Sequence, residues 1–177
     1  MDAPTPRLSF RPARPDEAAA IADLVNSAYR GESSRSGWTT EADFLEGRRI
    51  DEGGVRALLH QSGSVFLLGV LDGEVVATVH LERREDAAYL GLLVIRPTLQ
   101  GRGMGSQVLD AAEALVRETW GSSRMTMQVI SLREDLIAFY ERRGYRRTGQ
   151  RIPFPEVTLS TPLVQGLEFE ILAKDLS

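Results

Sequence analysis

Cysteine is absent from the 177-residue chain. This excludes disulfides, thiolate metal sites and a cysteine nucleophile. Histidine occurs only twice, at His60 and His80, so a metal centre would rest on two imidazoles and carboxylates; none is expected. Long apolar runs are missing as well, and Met1 to Arg7 has no hydrophobic stretch of the kind that directs secretion; a cytoplasmic protein without membrane contact is the expectation. Nor is there an excess of positive charge: 21 Lys and Arg stand against 25 Asp and Glu, for a net charge of -4. A nucleic-acid partner is therefore not expected.

What is present suffices for one core. With 42% hydrophobic residues, the chain has the size and composition of a single domain over residues 1–177. Leu8 to Phe10 opens as a strand. Ile21, Leu24, Val25 and Ala28 share one face of a first helix that stops at Gly31. Thr40, with Asp43 three residues on, predicts a short helix carrying Phe44 and Leu45, and Val55 to His60 predicts another turn or two.

From Ser64 the period changes. Val65 to Leu71 is a continuous apolar run, Asp72-Gly73 is a hairpin turn, and Val75, Ala77, Val79 and Leu81 alternate with outward residues. Ala88 to Ile95 is apolar throughout, as in a strand covered on both faces. After a glycine-rich segment, Val108, Leu109, Ala112, Leu115 and Val116 mark a helix up to Gly121, and Met125 to Ile130 a strand. Leu136 to Tyr140 reads as a helix closed by Gly144. Strands follow at Tyr145 to Gln150 and Leu167 to Leu172, with Ile152 to Pro162 as a long irregular connection.

The segment Gln100-Gly101-Arg102-Gly103-Met104-Gly105 lies between the apolar strand and the amphipathic helix. Glycines there let main-chain N–H groups converge on an anion at the positive end of a helix, with Arg102 at the rim; a pyrophosphate suits such a concavity. Two other phosphate loops fit less well. Gly105 is followed by Ser106 and Gln107 rather than by Lys and Ser or Thr, and the glycines are spaced G-x-G-x-G rather than G-x-G-x-x-G.

At Gln100, Gly103 and Gly105 the chain resembles the Gcn5-related N-acetyltransferase family, whose pattern is Gln/Arg-x-x-Gly-x-Gly/Ala. The resemblance extends to Leu92-Leu93-Val94-Ile95, to Pro97, and to Leu136 through Tyr145, which is similar to the family's second motif. It implies an α/β (α+β) fold: a central mixed, mostly antiparallel sheet of about six to seven strands, flanked by helices and splayed at the fourth and fifth strands. It also implies acetyl-coenzyme A as co-substrate. The pantetheine arm would pair with free main chain at Leu93, Val94 and Ile95, and the diphosphate would sit on Gln100, Gly101, Arg102, Gly103, Met104, Gly105 and Ser106. Arg133 stands where many members carry Asn and is counted as a cofactor contact.

The same resemblance makes Tyr140 the general acid toward the departing sulfur. Periodicity alone offers the plainer reading of an aromatic packed beside Leu136 and Phe139. No carboxylate lies in Ala88 to Ile95, where many members supply a base, so the base is water or comes from elsewhere, with Glu32, His80 and Glu82 as the candidates. Tyr29 and Trp38 flank the loop expected to wall the acceptor pocket. The expected activity is direct acetylation of a primary amine on a small molecule. Acetylation of a protein or peptide, and a non-catalytic acyl-coenzyme A sensor, are the alternatives. Exposed sheet edges are compatible with a homodimer.

Overall fold

The computed structural model describes residues 4–30, 40–155 and 159–177. Chain order runs β1 (Ser9–Pro12), α1 (Ala18–Tyr29), β2 (Leu45–Gly47), α2 (Glu52–His60), β3 (Ser64–Leu71), β4 (Glu74–Arg83), β5 (Ala88–Ile95), α3 (Met104–Trp120), β6 (Arg124–Ile130), α4 (Glu134–Glu141), β7 (Arg146–Pro153), β8 (Ser160–Pro162) and β9 (Glu168–Asp175). Seven strands form one mixed sheet in the order β1-β3-β4-β5-β6-β9-β7, and β2 pairs with β8 in a separate two-stranded sheet. Within the large sheet only β5 and β6 run parallel. A mixed, mostly antiparallel sheet is thus what forms, and with β2 counted the parallel pair is the fifth and sixth strands in chain order.

The sheet is covered on both faces. Ala77, Val79 and Leu81 of β4 pack on one side with Val108, Leu109, Ala112 and Val116 of α3. Phe66, Leu68 and Val94 pack on the other with Ile21, Val25 and Ala28 of α1 and Val55 of α2. Burial of such side chains contributes about 1.5–3 kcal/mol each and is what positions the helices. Helix α3 ends at Gly121, which holds φ +65°, a left-handed conformation that glycine adopts without a Cβ clash.

The parallel pair is short. Ala88, Tyr89 and Leu90 lie opposite Met125, Thr126 and Met127, and no pairing continues beyond Leu90. Strand β5 is also bulged: Thr78 faces Val94 and His80 faces Gly91, so that Leu92 and Leu93 together oppose Val79. Leu92 adopts φ +50°, a rare conformation for a residue with a Cβ. An extra residue in one strand turns the following side chains to the other face. Accordingly Leu90 packs on the α3 side, whereas Leu92, two residues on, packs with α1.

Two expectations from sequence need correction. The short helix expected from Thr40 through Leu45 is a turn over residues 42–44 that leads into β2. The Thr40 hydroxyl accepts from the Ala42 N–H at 3.1 Å, a bond across two residues that closes a side-chain turn instead of capping a helix. Pairing with β8 then buries Leu45. The span Ile152 to Pro162, expected to be irregular, holds among its described residues the end of β7 and all of β8.

Candidate active site

The gap between β5 and β6 is where the chain brings its unusual groups together. On one side lies a cavity of about 250 Å³, with Gln100, Gly101, Gly103, Met104, Gly105 and Ser106 in its wall. Leu93 and Ile95 form its strand side, and Leu136, Phe139, Tyr140 and Arg143 its α4 side. On the other side a smaller cavity of about 50 Å³ is bounded by Glu41, Arg49, Tyr89, Arg133 and the separated strands. Tyr29, Leu93, Leu136 and Tyr140 belong to both walls, so the two spaces meet at these residues.

The glycine segment is shaped for an anion. Gly103 is the N-cap of α3 with φ +79°, and no side chain caps the helix. The first-turn N–H groups of this 17-residue helix therefore have no side-chain partner, and the positive end of its dipole faces the cavity. Gly101 holds φ +80°, a turn that a residue with a Cβ would resist. Arg143 adds a cation: its Nε donates to Ser106 Oγ at 2.8 Å, and its guanidinium stacks 3.8 Å from the Phe139 ring centroid. A diphosphate, needing converging donors and positive charge, fits this end of the cavity.

Two main-chain carbonyls of the splayed strand are held by side chains. The Tyr29 hydroxyl donates to the Leu93 carbonyl at 2.6 Å, and the Gln100 side-chain amide donates to the Ile95 carbonyl at 3.0 Å. Tyr29 thus anchors the end of α1 to β5 at the bulge. Its phenol is raised above the ordinary value, chiefly because burial penalises the charged form.

Tyr140 lines both cavities and stands edge-on to Phe139 and Tyr145, with ring centroids 5.3 and 5.9 Å away. Burial raises its phenol well above the ordinary tyrosine value, against the opposing pull of Arg133 and Arg143. The hydroxyl is therefore protonated at neutral pH and able to donate.

The remaining residues singled out from sequence fall in several places. Val94 is fully buried against α1 and lines neither cavity, and Arg102 is exposed outside both walls. Arg133 borders the smaller cavity, not the glycine segment. Its Nε pairs with Asp135 at 3.1 Å and its Nη1 donates to the Thr40 carbonyl at 2.6 Å. His80 borders neither space: it packs on Phe66 with ring centroids 4.9 Å apart, and its Nε2 bonds Ser64 Oγ at 2.7 Å. Burial depresses its pKa to about 4, so it is neutral at physiological pH. Glu32 and Trp38 lie outside the described residues.

Glu41, Arg49, Tyr89 and Arg143 border the site and were not singled out from sequence. Of these, only Arg143 carried a local signal, since it falls three residues after Tyr140 in the same motif. Glu41 is the only carboxylate in the described wall of the smaller cavity, and it is paired to the buried Arg30.

The family model for the acetyltransferase (GNAT) family matches residues 18–145. Among solved structures, a putative phosphinothricin N-acetyltransferase superposes with a TM-score of 0.72 at 17% identity, over 97% of this chain and 99% of that one. A putative acetyltransferase from Salmonella typhimurium, solved with its cofactor acetyl-CoA, gives 0.69 at 18% identity over 97% and 95% of the two chains. The ribosomal-protein-S18-alanine N-acetyltransferase from Escherichia coli gives 0.68 at 14% identity over 97% and 95%. No curated protein sequence matches the chain.

Proposed function

Since the chain belongs to the acetyltransferase (GNAT) family, for which acetyl-coenzyme A is the co-substrate, we propose that it acetylates the primary amine of a small molecule by direct transfer. The observation that carries this reading is the meeting of the two cavities at Tyr29, Leu93, Leu136 and Tyr140. A donor held by the glycine segment and an acceptor entering from the other side would reach the same point through the open sheet. Proximity of this kind converts a bimolecular step into a nearly unimolecular one.

The bound co-substrate supplies an activated acetyl carbon. A new bond forms between that carbon and the amine nitrogen, the carbon–sulfur bond breaks, and the nitrogen gives up one proton as the sulfur gains one. Tyr140 supplies the proton to sulfur, its phenol kept neutral by burial. Main-chain N–H groups of β5 near Ile95 serve the developing negative charge on oxygen. The nitrogen's proton passes to water in the acceptor cavity, because Glu41, the carboxylate in its described wall, is held as the counter-ion of the buried Arg30. His80 is not assigned that role, because it borders neither cavity.

The small acceptor cavity favours a small molecule over a protein segment. A peptide would need an open groove, whereas this space of about 50 Å³ is bounded by Arg49, Tyr89 and Arg133 and holds one carboxylate. The test is thiol release from acetyl-coenzyme A across a panel of amines. Tyr140→Phe is expected to lower kcat about tenfold or more with coenzyme A affinity unchanged. Full turnover by Tyr140→Phe at every pH would remove the assigned acid, and coenzyme A binding without turnover of any amine or peptide would favour a sensor.

A further inference from the structure

The acceptor wall carries more positive charge than the transfer step uses. Arg133 is committed to Asp135 and to the Thr40 carbonyl. Glu41 is committed to Arg30, whose second terminal nitrogen donates to Ser160 Oγ at 3.2 Å. Arg49 is different. Its Nε lies 3.9 Å from a Glu41 oxygen already engaged at closer range by Arg30, and no other ion pair involves it among the described residues. Its side chain is 35% exposed, so the guanidinium reaches both solvent and the cavity.

The position of Arg49 is built, not incidental. Asn26 of α1 accepts from the Arg49 N–H at 2.6 Å and the Ile50 N–H at 3.3 Å, and its amide donates to the Ile50 carbonyl at 2.7 Å and to Ala22 at 2.9 Å. One side chain on a rigid helix thereby fixes the main chain from which Arg49 projects. Across the cavity stands Tyr89, whose ring folds over Gly91: a Cβ there would lie 3.0 Å from Tyr89 Cε1. Arg84 lies over that ring, 4.1 Å from its centroid. A second cation thus backs the aromatic wall.

Resting on the acetyl-transfer reading above, we propose that the acceptor amine also carries a carboxylate, as an amino acid or short acidic amine does, and that Arg49 binds this carboxylate at the mouth of the acceptor cavity. A guanidinium offers a planar pair of donors that matches a carboxylate, and its weak hydration lowers the cost of the exchange. A polycationic acceptor would instead bring like charge against Arg49.

The test measures thiol release from acetyl-coenzyme A by the purified full chain with matched acceptors: each of the common amino acids, its carboxamide, its decarboxylated amine, and spermidine. The best amino acid is expected to exceed its carboxamide in kcat/KM by about tenfold or more, as for loss of a charged hydrogen-bond partner. Arg49→Met should reduce that ratio to within about threefold, mainly through KM, and Arg49→Lys should recover part of it. Calorimetric affinity for coenzyme A in each variant separates a lost carboxylate contact from misfolding. Should Arg49→Met not fold, the wild-type ratio decides, together with competitive inhibition by the deaminated carboxylic acid. Equal or better turnover of carboxamides, plain amines or spermidine overturns the proposal and leaves acetyl transfer standing. Absence of turnover with every amine, with or without coenzyme A binding, overturns both.

Discussion

Buried charge at Glu41 and Arg30 has consequences that can be measured one residue at a time. The Arg30 side chain is 4% exposed, and burial lowers its pKa even with Glu41 alongside. Glu41→Gln would leave that guanidinium without its counter-ion inside the protein, and loss of about 3–5 kcal/mol in denaturant unfolding is expected. His80 gives a second residue-scale prediction. Its folded pKa of about 4 lies below the ordinary histidine value of 6.5, so the unfolded chain binds a proton that the folded chain refuses. Stability is therefore complete above pH 6.5 and falls by about 3 kcal/mol as pH drops to 4. In His80→Gln this part of the pH dependence should disappear from chemical denaturation curves. Of these residues the sequence exposed only His80, by its rarity; the Glu41–Arg30 pair joins positions with no shared motif.

At the scale of elements, the site depends on how α3 begins and where β5 leaves β6. Gly103 combines φ +79° with a neighbour, Thr5 Cγ2, 3.2 Å from where a Cβ would stand. Gly103→Val is expected to cost about 1–2 kcal/mol of stability from the left-handed conformation alone. It should also weaken coenzyme A binding about tenfold or more by calorimetry, because the N–H groups of the first turn would no longer converge. The glycines were readable in the sequence, as was the helix that follows them. The bulge at Leu92 was not: a leucine in an apolar run gives no sign of a positive φ, and only the pairing of β5 with β4 forces it. The turn at residues 42–44 likewise escaped, since the partner that makes Leu45 a strand residue is β8, more than a hundred residues on.

For the molecule as a whole, three tyrosines report on the integrity of the core. Tyr29, Tyr140 and Tyr145 all have phenols raised by burial, and Tyr145 is held further up by Glu113, to which its hydroxyl donates at 3.2 Å. In the unfolded chain these groups ionise near pH 10, while in the folded chain they do not. The stability they contribute is complete below pH 10 and is lost above it, at about 1.4 kcal/mol per pH unit for each tyrosine, or about 4 for the three. Tyr89, also raised by burial, adds to this slope; unfolding should steepen accordingly between pH 10 and 12, and Tyr145→Phe should flatten the slope by about 1.4 kcal/mol per pH unit. Absorbance at the tyrosinate band would show ionisation coinciding with unfolding.

Local pattern determined the order and kind of most elements and the glycine-rich loop before α3, because hydrophobic period, glycine and hairpin turns act over a few residues. It also brought out Tyr29 and Tyr140, through their places at a helix end and in a motif. Tertiary structure alone decided that the two tyrosines share one point of an open sheet, that His80 borders neither cavity, and that Glu41, Arg49 and Arg143 do. The physical reason is distance along the chain: charge pairs and cavity walls are made by residues from separate elements, and strand pairing, with the packing of α1, α3 and α4 on the sheet, brings them together.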